Sequence, residues 1–381
     1  MLNHKSILIV SEFPAIYHAV IWRRLFETQN NALQIFTRSS SLEPYYDKEF
    51  QQVRSPLPKH IFEDYSYKII PMDSNLGLFV LIKSFFKILS IIHKDNYDFV
   101  VLHGYKLWPN LFLAIFANFS GSKLVFRGEL QLQKKTWLKF ILKKMYLKLF
   151  FSRFQYVLIS SKLADKFFHS YNINPKNKIY TNVTHDIEFL ESKKIGKVDI
   201  KGERLRFNIP ESHTVSVSVG RFTSRKNHFE ILNALVGLEN HYHIFIGNGP
   251  QAKEMKEFAR KNNVNAIFTG YLSELDTLMV MQIADFSIHA AITDPTPKVL
   301  IEYTAYGIPC ICRYSVECCE DIFKHMESGI IYENENELRL FVKLLIENEQ
   351  FRNHLSLSIY NSRYDFDGVK VANALTELTK T

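Results

Sequence analysis

Two carboxylates eight residues apart, Asp294 and Glu302, bracket the stretch Asp294-Pro-Thr-Pro-Lys298-Val299-Leu300-Ile301-Glu302. A helix starting near Pro297 presents the amides of Lys298, Val299 and Leu300 at its N-terminus. First-turn amides have no partner within the helix, and together with the helix dipole they hold phosphate. Glu302, one turn in, then faces a ribose diol, and Asp294 a sugar hydroxyl beyond the diphosphate. An acidic loop ahead of a capped helix is the bland alternative.

A second cluster, Gly220-Arg221-Phe-Thr-Ser-Arg225-Lys226-Asn227, follows a β-like run and opens a helix. Gly220 lets backbone approach a ligand, while Arg221 offers a planar fork and Lys226 a point charge, a pair suited to a diphosphate. A solvated cationic loop would read the same. A third, Gly247-Asn248-Gly249-Pro250, sits at the carboxyl end of another run, the edge where open α/β sheets bind ligands. A lone Gly-x-Gly is equally a tight turn.

In this order the three stretches resemble the C-terminal domain of retaining GT-B glycosyltransferases of the family-4 type. Those enzymes carry a Gly-Arg-x4-Lys loop, a Gly-x-Gly-Pro turn and an acidic-x7-Glu element. The resemblance implies that Arg221 and Lys226 meet the donor diphosphate, Glu302 the ribose, and the Val299 and Leu300 amides a phosphate. Gly220, Gly247, Gly249 and Lys298 join this donor site, with no fixed protein nucleophile. Asp294 replaces the family's usual Glu, and Pro-Thr-Pro its usual Gly-Phe-Gly. Phe268-Thr-Gly270-Tyr271-Leu272 is similar to the family segment whose backbone meets the nucleobase, which adds Tyr271.

In the first half, His103-Gly104 and Arg127-Gly128-Glu129 each end an apolar run, hence reach the cleft. His103 is counted with Arg221, Lys226 and Asp294 as catalytic. An Arg-Gly-Glu here resembles a subset of the family, so Arg127 and Glu129 are expected at the acceptor. His18 resembles a polar residue near the reacting centre in another subset. A structural ion pair is the competing reading for Arg127 and Glu129.

These residues need strand ends to carry them, and the chain supplies candidates. Runs at Ile7–Val10, Leu33–Thr37, Tyr67–Pro71, Phe99–His103, Lys123–Arg127, Tyr156–Ser160 and Ile179–Thr181 precede six more. The six are Val215–Gly220, His243–Gly247, Ala266–Gly270, Phe286–Ala290, Pro309–Arg313 and Gly329–Tyr332. Helix-length segments such as His228–Val236 and Gln251–Lys261 alternate with them, the pattern of parallel sheets. The expected fold class is α/β, two Rossmann-like doubly wound domains facing a cleft. Their expected bounds are 1–190 for the acceptor domain and 207–352 for the donor domain. Residues 353–381 are a helical segment returning toward the first domain, and the Lys-rich stretch 191–206 is the linker.

The chain has 381 residues, 46% hydrophobic and 23% charged, which excludes disorder and low complexity. The N-terminus is too short in apolar residues for a signal peptide, and no transmembrane helix is expected. The four cysteines have no zinc spacing and suit a reducing compartment; no metal or other cofactor is expected. Residues 1–190 carry +11 and residues 191–381 carry −3, so the first half faces an anionic partner. Between Glu129 and Asp165 there is no acid, while Lys134, Lys135, Lys139, Lys143, Lys144, Lys148 and Arg153 lie among aromatics. A helix there is expected to be basic on one face and greasy on the other, so residues 131–155 suit an anionic membrane surface. The reading is a cytoplasmic glycosyltransferase, peripheral on the inner membrane face. Its partners are a nucleotide-sugar donor and a lipid-linked or glycan acceptor in polysaccharide assembly. A basic nucleic-acid-binding protein is the alternative from another class, but it has no use for Asp294 and Glu302. A small soluble acceptor is the alternative within the enzyme reading.

Overall fold

The computed structural model describes residues 6–11, 16–28, 32–37, 45–47, 52–54, 66–72, 77–105, 108–128, 130 and 136–380. The chain divides into two compact units, Met1–Asp186 with Asp367–Thr381, and Ile187–Phe366.

The strands of unit 1 are β1 (Ile7–Ser11), β2 (Ala32–Phe36), β3 (Tyr45–Asp47), β4 (Gln52–Arg54), β5 (Tyr67–Ile69), β6 (Phe99–His103), β7 (Lys123–Arg127), β8 (Tyr156–Ile159) and β9 (Lys178–Tyr180). All but β3 and β4 form one parallel sheet in the order β5-β2-β1-β6-β7-β8-β9. Every residue of β1 is buried, as a strand covered on both faces requires. One cover is the layer of α2 (Leu78–Lys94), α3 (Trp108–Ala117), α4 (Trp137–Phe151) and α5 (Lys162–Ser170), whose inner residues join the core with Leu102 and Phe126. The other cover is α1 (Ile16–Thr28) with the C-terminal helix Val369–Lys380. The antiparallel pair β3–β4 lies in a polar stretch with no alternation to announce it.

Unit 2 has β10 (Thr214–Val219), β11 (His241–Ile246), β12 (Ala266–Gly270), β13 (Phe286–His289), β14 (Cys310–Arg313) and β15 (Ile330–Tyr332). They form a parallel sheet in the order β12-β11-β10-β13-β14-β15. The two parallel-sheet Rossmann-like units are the expected fold class. All thirteen expected strands are present, most within two residues of their bounds.

The unit boundaries differ from the expected 1–190, 207–352 and 353–381. The stretch 191–206 taken for a linker is folded: it takes in the end of the helix Ile187–Ser192 and the whole helix Lys197–Arg206, and it belongs to unit 2. Arg204 donates to the Ile283 carbonyl at 2.7 and 2.9 Å, and Gln282 bonds Lys193 and Ile195. These anchors are polar, so hydropathy does not reveal them. The helix Glu349–Asn361 also stays in unit 2, where Leu355 and Ile359 are buried. Only the part from Asp367 onward joins unit 1. There Gly368 passes so close to α1 that a Cβ would lie 2.4 Å from a Val20 methyl carbon.

One face of unit 2's sheet carries alternating hydroxyls and imidazoles. Thr214 Oγ1 lies 2.8 Å from His241 Nδ1, and Ser216 Oγ lies 2.7 Å from His241 Nε2 and 2.6 Å from His243 Nδ1. Ser218 Oγ closes the row at 3.0 Å from His243 Nε2. The register of β10 on β11 places these side chains together. Burial pushes His241 down to about 3 and His243 well below the usual range, so both stay neutral. His228 is likewise pushed down to about 3 and His289 is lowered, in each case chiefly by burial.

His228, His241 and His243 make unit 2 acid-labile, and the lowered His289 acts in the same direction. The unfolded chain protonates the three near pH 6.5 and the folded chain does not, so stability is full above about pH 7 and falls as the pH falls. Three such groups cost about 4 kcal/mol per pH unit below pH 6, against a total stability of order 5–15 kcal/mol. Unit 2 is expected to unfold around pH 5, with a steepness reduced by about one proton in His241→Phe. Circular dichroism during acid titration checks this, and a unit stable to pH 3.5 would contradict it.

Candidate active site

Strands β12, β11, β10 and β13 are neighbours, and each ends in a loop bearing expected site residues. Tyr271 follows β12, Gly247 and Gly249 follow β11, and Gly220, Arg221 and Lys226 follow β10. Asp294 follows β13 and leads to Lys298 and Glu302. Backbone bonds stitch three of the loops together. Gly220 N donates to Ile246 O at 3.0 Å, Phe222 N to Asn248 O at 2.9 Å, and Gly247 N to Gly270 O at 3.0 Å. The loops are pressed backbone on backbone. A Cβ on Gly247 would lie 2.0 Å from the Gly220 carbonyl oxygen, and one on Gly249 would lie 2.5 Å from that of Phe222. Both glycines therefore have a cause within the protein, separate from the ligand approach expected of them.

The electrostatic centre is Asp294. It is 7% exposed, ion-paired to Lys226, with His289 Nε2 at 3.2 Å from the same carboxylate oxygen and Arg225 Nη1 at 3.9 Å from the other. Burial alone would raise its pKa; the His289 hydrogen bond and the Lys226 charge outweigh burial and hold it at about 2. Because an ionised carboxylate only accepts, neutral His289 donates its Nε2–H. Further bonds, Ile292 N to Arg225 O at 2.9 Å and Arg225 Nη1 to Thr293 O at 3.1 Å, tie the two loops side by side. Lys226 is thus positioned by Asp294, and the sequence placed the two on different parts of the donor.

Behind this pair stands a second buried one. Glu230, on the helix His228–Leu235, is ion-paired to Arg313, and it accepts from Asn227 Nδ2 at 2.6 Å and Tyr332 Oη at 3.1 Å. It fixes the end of the Lys226 loop to β14 and β15. His228, beside Lys226 and edge-on to Phe222 at 5.1 Å, completes the wall. None of Glu230, His228, His289 or Arg313 belongs to a recognisable motif.

The helix Lys298–Tyr306 begins where expected, after Pro297, with no side chain capping it. Leu300's amide is already used: it donates to Pro297 O at 3.1 Å. That removes it from the amides expected to be open to phosphate, because Pro297 closes a tight first turn. Val299 is buried, Lys298 and Glu302 are half-buried, and Tyr271 is exposed. Arg221 is half-buried immediately after Gly220.

In unit 1, His18, His103 and Arg127 come together. The His18 and His103 rings are 4.6 Å apart, and the Arg127 guanidinium lies 5.9 Å from the Trp22 ring. His103 and Arg127 are register partners on β6 and β7, and Gly104 N donates to Arg127 O at 2.9 Å. Arg127 is buried against α1. Glu129 lies outside the described residues.

The loop packing yields a stability test. Gly249→Ala is expected to lower unit 2's stability by about 3 kcal/mol, since backbone rather than a movable side chain must give way. Gly202→Ala, with open space around a helical glycine, is the control and is expected to be neutral or up to about 1 kcal/mol stabilising. Urea unfolding reads both, and equal midpoints would refute the close-packing account.

Residues 199–361 match the family model "Glycosyl transferases group 1". In Campylobacter jejuni, the N-acetylgalactosamine-N,N'-diacetylbacillosaminyl-diphospho-undecaprenol 4-alpha-N-acetylgalactosaminyltransferase is 21% identical over 238 residues. That match covers 61% of this chain and only 62% of the relative, less than two thirds of its length. Among solved structures, Anabaena HepE in complex with UDP superposes with a TM-score of 0.76 at 15% identity, covering 98% of this chain and 99% of that one. A glycosyltransferase from Rickettsia africae gives 0.77 at 14%, covering 99% and 98%. At these identities the superpositions carry the fold. The family match falls on the unit that holds the stitched loops: residues 199–361 are similar to glycosyl transferases of group 1.

Proposed function

We propose that the protein is a retaining glycosyltransferase, moving a sugar from a nucleotide-diphosphate donor to an acceptor hydroxyl. The observation that carries this reading is the Lys226–Asp294 pair at the joined strand ends, beside the uncapped helix start at Lys298. Donor phosphates compete with Asp294 for Lys226. Their arrival releases a carboxylate toward the sugar while the lysine moves onto the diphosphate. As the bond from the sugar's anomeric carbon to the phosphate oxygen breaks, charge grows on the leaving diphosphate, and the acceptor hydroxyl bonds that carbon and passes its proton to the departing phosphate oxygen. Arg221 and Lys226 answer that charge, which is usually the largest catalytic contribution. They supply what a divalent cation would otherwise supply, so the proposal includes no metal. Glu302, one turn into the helix, holds the ribose, and Tyr271 flanks the base.

The acceptor is proposed to be lipid-linked, held near His18, His103 and Arg127 in unit 1. The Campylobacter relative is named for a diphospho-undecaprenol substrate, which supports this class. The HepE complex with UDP supports a uridine donor. The four buried free thiols suit a cytoplasmic enzyme on the inner membrane face.

A thermal-shift panel of UDP, GDP, ADP and CMP tests the donor. The cognate diphosphate at a hundred times its Kd is expected to add about 2.7 kcal/mol, or some 5 °C in melting temperature. No response to any of the four would remove the donor-site reading.

Two substitutions separate binding from turnover. Glu302→Gln is expected to weaken nucleotide-sugar binding by about 1–3 kcal/mol, the range for a hydrogen bond to a charged group. Arg221→Ala should depress kcat more than donor affinity, because its charge partner develops in the transition state. Unchanged donor affinity in folded Glu302→Gln, or unchanged kcat in Arg221→Ala, would remove the corresponding role.

A further inference from the structure

On the outer side of unit 1's α2–α5 layer, apolar side chains face solvent in helical stripes. On α2 they are Leu78, Ile82 and Phe86, spaced four apart, with Phe79 beside them at 79% exposure. On α3 and its extension they are Phe112, Phe116 and Phe119, the last 78% exposed. On α4 the stripe is Leu138, Leu142, Met145 and Leu149, with Trp137 76% exposed at its start. Thirteen of the 25 exposed large hydrophobics among the described residues lie on these three helices, so they are concentrated rather than scattered. The stripes form one surface: α3 touches both neighbours, and Phe85 of α2 meets Phe112 and Phe116 edge-on at 6.3 and 5.8 Å. A patch of this extent marks an interaction site.

The charges select the occupant. None of the three helices carries an Asp or Glu, while Lys83, Lys87 and Lys94 lie on α2 and Lys139, Lys144 and Lys148 on α4. A second copy docked face to face would set cations against cations with no carboxylate to answer them. Apolar side chains rimmed by lysine match an anionic bilayer, where rings enter the acyl boundary and ammonium groups meet headgroups. The structure also corrects the expected amphipathic form of α4. Its inner residues Leu147, Phe150 and Phe151 are buried, so it is apolar inward and outward alike. Lys143 turns onto the rings of Tyr105, Phe167 and Tyr171 at 5.2–5.5 Å, away from the role assigned to it with the segment 131–155.

We infer that α2, α3 and α4 together form a monotopic docking face for an anionic lipid bilayer, broader than the basic α4 segment alone. No helix among the described residues is long and apolar enough to cross a bilayer, so contact is by this face. The inference draws on the lipid-linked acceptor only for its purpose; its geometry stands independently of the donor site.

Co-sedimentation of the full chain with phosphatidylcholine vesicles, with and without phosphatidylglycerol, at low and high salt tests it. The variants are Phe79→Ser with Phe86→Ser and Phe116→Ser, and separately Leu138→Ser with Leu142→Ser. All five positions are exposed, and the UDP thermal shift of each variant reports on the donor unit separately. Wild type should partition onto the anionic vesicles and leave them at high salt, and each variant set should lose about tenfold. An undiminished α2–α3 variant would overturn the three-helix face, as would equal binding to neutral vesicles or none. A vesicle-free dimer dissolved by these substitutions would assign the face to a second copy instead.

Discussion

An ionised carboxylate taken out of water must be answered by charge and hydrogen bonds, and Asp294 is answered by Lys226 and by His289. The pair fixes more than its own geometry. It joins the loop after β10 to the loop after β13, and with Arg225 it sets the distance between the basic cluster and the helix start at Lys298. A lysine held this way is withdrawn from solvent, its side chain 14% exposed against a wall that includes His228. The same pair would have to open for a diphosphate, so the interaction that orders the site also sets what a ligand must displace.

Everything nearby is built to keep that pair in place. The β11 loop is drawn against the β10 loop until only glycine fits at 247 and 249. Glu230, Arg313 and Tyr332 hold the next helix start from behind, and removal of one partner would strand the other charge in the core. Tertiary polar contacts of this kind give the site a fixed shape before any ligand arrives, which is the condition for electrostatic preorganisation.

Much of the fold is written in short-range pattern. Apolar runs of four to six residues between helix-length segments are enough to place both parallel sheets, because buried strands need no more than continuous hydrophobicity. Gly220-Arg221, Gly247-x-Gly249 and Asp294 to Glu302 are legible for a similar reason: each is a contiguous motif at a strand end. What escapes is made of distant partners. His289 and Asp294 are five apart, yet His289 looks like any strand residue, and Glu230 meets Arg313 across 83 positions. The helix Lys197–Arg206 reads as part of a linker because hydrogen bonds rather than a run of apolar residues anchor the stretch. The antiparallel β3–β4 pair gives no periodic signal, and the outward stripes of α2 and α3 are hidden by inward apolar residues of the same helices.

The central claim is that Lys226 serves Asp294 at rest and a diphosphate in the donor complex. A crystal structure of the protein with UDP tests it most directly. The account predicts phosphate oxygens within hydrogen-bond distance of Lys226 Nζ, near the start of the helix Lys298–Tyr306, with the Lys226–Asp294 pair opened and Asp294 still on His289. UDP bound elsewhere, or bound here with Lys226 still closed on Asp294, would contradict it.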